Sequence, residues 1–94
     1  MRITVTRSGG FGGLRPEVSE VATEALDRQD AAPLEALATS LPDRADPPSG
    51  ADQYQYDVTV EHQGQTRSYQ FHGQENPAAD LIARVRAIAQ RRPS

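Results

Sequence analysis

The chain has no cysteine, no tryptophan and no lysine, and none of its 94 residues belongs to a long apolar run. Without cysteine there is no disulfide framework, no thiol nucleophile and no zinc–thiolate site. No stretch approaches the ~18 apolar residues that a membrane-spanning helix needs. The opening Met1-Arg2-Ile3-Thr4-Val5-Thr6 alternates instead of building the core of a signal peptide. These absences predict a soluble, intracellular protein with no membrane partner. Ten arginines and no lysine, beside thirteen alanines, are the bias that GC-rich coding produces, and they carry no functional weight.

Positive charge is also in short supply. Thirteen acids against ten arginines leave a net charge of −3, which argues against a nucleic-acid partner, since phosphate binding draws on clustered positive charge. Arg84, Arg86, Arg91 and Arg92 do gather near the C-terminus, but alanine and isoleucine separate them at helical spacing. They read as the solvated face and C-terminal end of a helix, where the helix dipole favours cations. At this length the chain 1–94 is expected to form one small domain, burying about 60–65% of the surface its unfolded form exposes.

Several segments announce their structure. Residues 2–8 alternate, with Ile3 and Val5 on one face and Arg2, Thr4 and Thr6 on the other, as in a half-buried strand. A hairpin is predicted over 54–71. Tyr54, Tyr56, Val58 and Val60 share one face of its first strand, and Arg67, Tyr69 and Phe71 share one face of its second. A two-residue turn at Gln63 and Gly64 sets Val58 opposite Tyr69 and Tyr56 opposite Phe71, so the apolar faces coincide. Arg67 then sits beside Val60 at the rim of that face, its guanidinium reaching water. The hairpin holds four of the five aromatic residues and should supply much of the core.

Two helices follow from apolar stripes. The first is expected at about 31–41, with Leu34, Leu37, Ala38 and Leu41 on one side and Pro42 closing it. The second is capped by Asn76, opens with Pro77 and carries apolar residues at 78, 81, 82, 85, 88 and 89, with Asp80 and Arg84 as an i,i+4 pair. Residues 42–53 read as a loop. The stretch 14–28 is ambiguous. Val18, Val21, Ala22, Ala25 and Leu26 match helical spacing, and Pro16 suits a helix start; yet Leu14, Pro16 and Val18 alternate, as in a strand returning beside the first. The fold class expected is α+β, a mainly antiparallel sheet of about four strands with two or three helices packed on one face.

Catalytic patterns are missing. His62 lies beside the hairpin turn and His72 at the end of the returning strand, with no His-Glu-x-x-His spacing and no third ligand, so both read as surface histidines. Ser8 lacks the Gly-x-Ser-x-Gly context of a nucleophile. No cofactor and no metal are expected. The feature that stands out is Ser8-Gly9-Gly10-Phe11-Gly12-Gly13, which holds four of the seven glycines. It is not a phosphate loop, because the lysine and the following helix are absent. Glycines in such density cost conformational entropy and bury little. They suit a wide turn with Phe11 folded back on the core, or a loop whose backbone enters a narrow cleft with Phe11 or Leu14 as anchor.

The opening Ile3-Thr4-Val5-Thr6-Arg7-Ser8-Gly9-Gly10-Phe11-Gly12-Gly13-Leu14 resembles the start of emfourin-like proteins, small bacterial inhibitors associated with protealysin, a thermolysin-family zinc metalloprotease. Arg-Ser-Gly-Gly-Phe is the specific part; the likeness elsewhere is of general patterning. The resemblance implies a second strand over 14–21, against the helical reading, although Pro16-Glu17-Val18 departs from the basic/aromatic pattern common there. By residue pattern alone the wide turn is the commoner use of such glycines; the resemblance favours the cleft-entering loop instead. The protein it implies is not an enzyme but a cytoplasmic protease inhibitor, monomeric when free. Its loop would comprise Arg7, Ser8, Gly9, Gly10, Phe11, Gly12, Gly13 and Leu14, with Phe11 or Leu14 in the pocket after the scissile bond and Arg7 on an acidic rim. The competing readings are a non-inhibitory interaction module acting through its sheet edge, and a small enzyme or ligand-binding domain, for which no residue constellation is present.

Overall fold

The computed structural model describes residues 1–9, 16–42, 54–72 and 77–91. Strand β1 (Arg2–Gly9) runs antiparallel to both β2 (Glu17–Ala22) and β3 (Tyr54–His62), and β3 pairs with β4 (Gln65–His72). The sheet order is β2-β1-β3-β4. A short 3₁₀ turn (Thr23–Ala25) and helix α1 (Arg28–Thr39) follow β2, and helix α2 (Ala79–Arg91) follows β4. This is the α+β architecture expected, with two α-helices among the described residues.

One face of the sheet makes the core. The register aligns Val21, Ile3, Val60 and Arg67 across the four strands, then Ser19, Val5, Val58 and Tyr69, then Glu17, Arg7, Tyr56 and Phe71. The first two rows supply the apolar floor, and Arg67 lies exposed at its rim opposite Val60, as the alternation predicts. Leu81, Ile82, Val85 and Ile88 of α2 and Leu34 and Ala38 of α1 close the core from above. Full burial of a side chain such as Phe71 or Leu81 contributes about 1.5–3 kcal/mol. The opposite face carries Thr4, Thr6, Glu20, Asp57, Thr59, Ser68 and Gln70, a polar surface suited to water.

The hairpin register matches the predicted one pair for pair, Tyr56 with Phe71 and Val58 with Tyr69. Gln63 and Gly64 turn it with φ of 52° and 79°, both in the left-handed region that a type I′ turn requires. Helix α1 begins three residues before the predicted boundary and carries Pro33 in its interior, which removes the backbone donor that would otherwise bond to the Gln29 carbonyl. Ala78, just before α2, and Leu81, Ile82, Val85 and Ile88 within it are buried as the stripe predicts, and Ala89 is half-buried. Asn76 lies outside the described residues, and the helix opens at Ala79, behind a turn at Pro77 and Ala78. Asp80 and Arg84 are exposed and are not among the ion pairs of the described residues.

The stretch 16–28 is where helical spacing misleads. Residues 17–22 form a strand, because the free edge of β1 offers six backbone partners in register, from Arg2 with Ala22 to Arg7 with Glu17. Strand geometry sends Val18 outward, where it is 63% exposed, and buries Ser19 at 6%. Thr23, buried at the end of β2, donates its N–H to the Met1 carbonyl at 2.8 Å and its hydroxyl to Oε2 of Glu35 at 2.8 Å. That pair of bonds turns the chain away from the sheet and into α1.

Candidate functional site

The glycine motif begins where β1 and β2 part. The last rung of their ladder pairs Arg7 with Glu17; beyond it β1 continues to Gly9 alongside β3 only. Ser8 is half-buried opposite Gln55, and Gly9 is opposite Tyr54. Gly10, Phe11, Gly12, Gly13 and Leu14 lie outside the described residues. Of the eight site residues expected, the structure therefore describes Arg7, Ser8 and Gly9, adjacent at one end of the central strand.

Alternation along β1 places Ile3, Val5 and Arg7 on the helix-covered face, so the floor that is apolar mid-strand ends in a charge. Arg7 donates from a terminal nitrogen to Oε2 of Glu17 at 3.1 Å. From above, Arg86 of α2 donates its Nε–H to Oε1 of the same carboxylate at 2.9 Å, and a terminal guanidinium nitrogen lies 2.9 Å from that oxygen as an ion pair. One oxygen thus serves each arginine. The three side chains are 26%, 39% and 27% exposed in the order Arg7, Glu17, Arg86, so solvent weakens each charge-assisted bond without displacing it. Arg7 has an internal partner here; the resemblance had suggested an acidic rim on another protein.

Glu17 and Arg86 were missed by reading the sequence. Glu17 lies in the stretch whose spacing looks helical, and Arg86 reads as one more solvated arginine. The available signal was conditional: once 14–21 is taken as a strand antiparallel to 2–8, Arg7 and Glu17 fall opposite each other as an opposite-charge pair.

Two clefts lie at the other end of the sheet, around Met1 and the hairpin turn. One of about 220 Å³ lies between the end of α1 and the hairpin, lined by Met1, Ala38, Val60, His62, Arg67 and Tyr69 among others. Nearby the Met1 ammonium donates to the Glu24 carboxylate; that hydrogen bond, with a backbone one, holds the Glu24 pKa below the ordinary glutamate value. His72 ends β4 opposite Gln55, away from His62. Among the described residues no three histidine, aspartate or glutamate side chains gather to hold a metal ion, and no helix is long and apolar enough to cross a membrane.

The fold and the motif together define a small one-sheet α+β protein with a glycine-rich segment leaving its central strand. More narrowly, the emfourin family model matches residues 5–86, and the chain belongs to the emfourin family, which is known for protease inhibition. The match takes in the motif, Glu17 and, as its final residue, Arg86. No curated protein and no solved structure matches the chain.

Proposed function

We propose that the protein inhibits a thermolysin-family zinc metalloprotease of the protealysin kind, acting in the cytoplasm as a single, monomeric, non-catalytic unit. The observation that carries this reading is the family match over 5–86, which includes Arg7 through Leu14. Segment 7–14 enters the active-site cleft. The backbone of Ser8, Gly9 and Gly10 pairs with the cleft as a substrate strand does, and the glycines admit the chain where side chains would clash. Phe11 or Leu14 fills the apolar pocket that such enzymes offer just after the scissile bond, and Gly12 and Gly13 let the chain turn out again. Inhibition is occlusion of the zinc site, since a serine hydroxyl and backbone carbonyls are poor zinc ligands. Because β1 is the second strand of the sheet and is paired on both sides, it presents the segment from a fixed base, which lowers the ordering cost of binding.

The test is titration of a purified protealysin-like enzyme with the protein and with Phe11→Ala and Gly10→Ala. Wild type is expected to inhibit at near-stoichiometric amounts. Loss of the aromatic anchor should cost about 2 kcal/mol or more, roughly 30-fold in the inhibition constant. Full potency in both variants would remove the segment from the mechanism, and no inhibition by wild type would remove the function. Capture of a non-protease partner along β2 or β4, the two edge strands, would instead favour the interaction-module reading.

A further inference from the structure

The carboxylate shared by Arg7 and Arg86 has more than a packing role. We infer that Glu17 is the positioning residue that stops the glycine segment from being cut, by locking the strand ends from which that segment departs. The inference rests on the inhibitory reading for its purpose, but its geometry stands apart from it.

Ladder ends are where a sheet opens first, because the last rung has neighbours on one side only. The β1–β2 ladder ends at Arg7 and Glu17, the pair that flanks residues 8–16. At this rung the protein places a side-chain lock in addition to the backbone pairing. Glu17 bonds sideways to Arg7 of β1 and upward to Arg86 of α2, and α2 is anchored to the core through Leu81, Ile82, Val85 and Ile88. Opening the rung therefore means breaking bonds to a helix that cannot follow. A peptide bond is hydrolysed when its chain can adapt to the protease's catalytic geometry; a segment whose two ends are fixed to a rigid sheet adapts less. Both carboxylate oxygens are occupied, so the isosteric Glu17→Gln keeps the shape but leaves one arginine facing an amide N–H, which cannot accept a hydrogen bond.

Chymotrypsin digestion tests this without needing any inhibition, since Phe11 is the sole aromatic residue between Arg7 and Glu17. Wild type, Glu17→Gln, Arg86→Gln and Arg91→Gln are digested well below their thermal midpoints, and cleavage between residues 8 and 16 is followed by mass spectrometry. Arg91→Gln removes a different α2 pair, to Asp30 of α1 at 3.8 Å, and is the control. Glu17→Gln and Arg86→Gln should be cut in this segment about three- to tenfold faster than wild type, the scale of losing two partly exposed charge-assisted contacts. Arg91→Gln should be cut at the wild-type rate. Equal rates in wild type, Glu17→Gln and Arg86→Gln overturn the inference, as does equal acceleration in Arg91→Gln. Should Glu17→Gln fail to fold, Arg86→Gln decides alone.

The same proteins are then incubated with the protealysin-like enzyme. Inhibition by wild type should persist, while inhibition by the two lock variants should decay as the segment is cut. A wild type that does not inhibit overturns the functional reading, and the chymotrypsin rates still decide the lock.

Discussion

Phe71 has no exposed surface, and its ring lies nearly parallel to that of Tyr69, with centroids 6.3 Å apart. It faces Tyr56 across the hairpin and closes the row that ends in Glu17 and Arg7. Replacing it by alanine removes an aromatic side chain from a site enclosed on every side. We expect Phe71→Ala to cost about 3–5 kcal/mol, read as a fall in the urea midpoint with an unchanged slope. Tyr69→Ala, at a half-buried position, should cost distinctly less in the same measurement. Phe71 was visible as a core residue in the sequence because alternation and burial agree there. Glu17 was not visible: its contact with Arg86 spans most of the chain, and no local pattern reports a pair so far apart.

At the scale of elements, the hairpin shows how far local chemistry goes. Alternation fixed the two faces, a two-residue turn fixed the register, and the structure repeats both. The turn itself is imperfect. Gln63 holds φ of 52°, a conformation asparagine tolerates better, so Gln63→Asn should raise the thermal midpoint, by about 0.5 kcal/mol in stability. Gly64→Ala should lower it by about 1 kcal/mol, and since nothing lies within 4 Å of the added carbon, the cost is backbone strain alone. Scanning calorimetry of the two variants checks both signs. Strand β2 is the opposite case. Its inward positions are Glu17, Ser19 and Val21, only one of them apolar, so a period of two is barely written in it. What makes it a strand is the edge of β1, a tertiary preference that overrides the local spacing. Helix α2 was legible down to its buried positions, while the start of α1 was not, because Arg28, Gln29 and Asp30 precede the apolar stripe that marks the helix.

The whole molecule has two ends with different tasks. Antiparallel pairing sets the Arg2 end of β1 beside Glu61 and Ala22, near the hairpin turn, and the Gly9 end beside Tyr54, with Glu17 two residue pairs back, opposite Arg7. If segment 7–14 enters a protease, bulk is tolerated at the first end and not at the second. The chain has no native cysteine, so one introduced thiol can be labelled uniquely. A polyethylene glycol attached at Thr66→Cys, an exposed position beside the turn, should leave inhibition at the wild-type level. The same polymer at Pro16→Cys, exposed and next to Glu17, should abolish it. Titration of a protealysin-like enzyme with each conjugate gives the answer.

The place of β1 in the sheet also governs the order in which the protein is assembled. It is the first of these four strands to leave the ribosome, yet one of its two neighbours, β3, ends only at His62. Strands β3 and β4 are joined by a tight turn and can pair within about 1–10 μs, whereas β1 must wait for a distant partner and bear the entropy of closing the chain between them. Until that ladder forms, the apolar row of Ile3 and Val5 has only β2 beside it. The strand that carries the glycine segment is thus made first and completed late, and the segment gains its fixed base only when the rest of the molecule is in place.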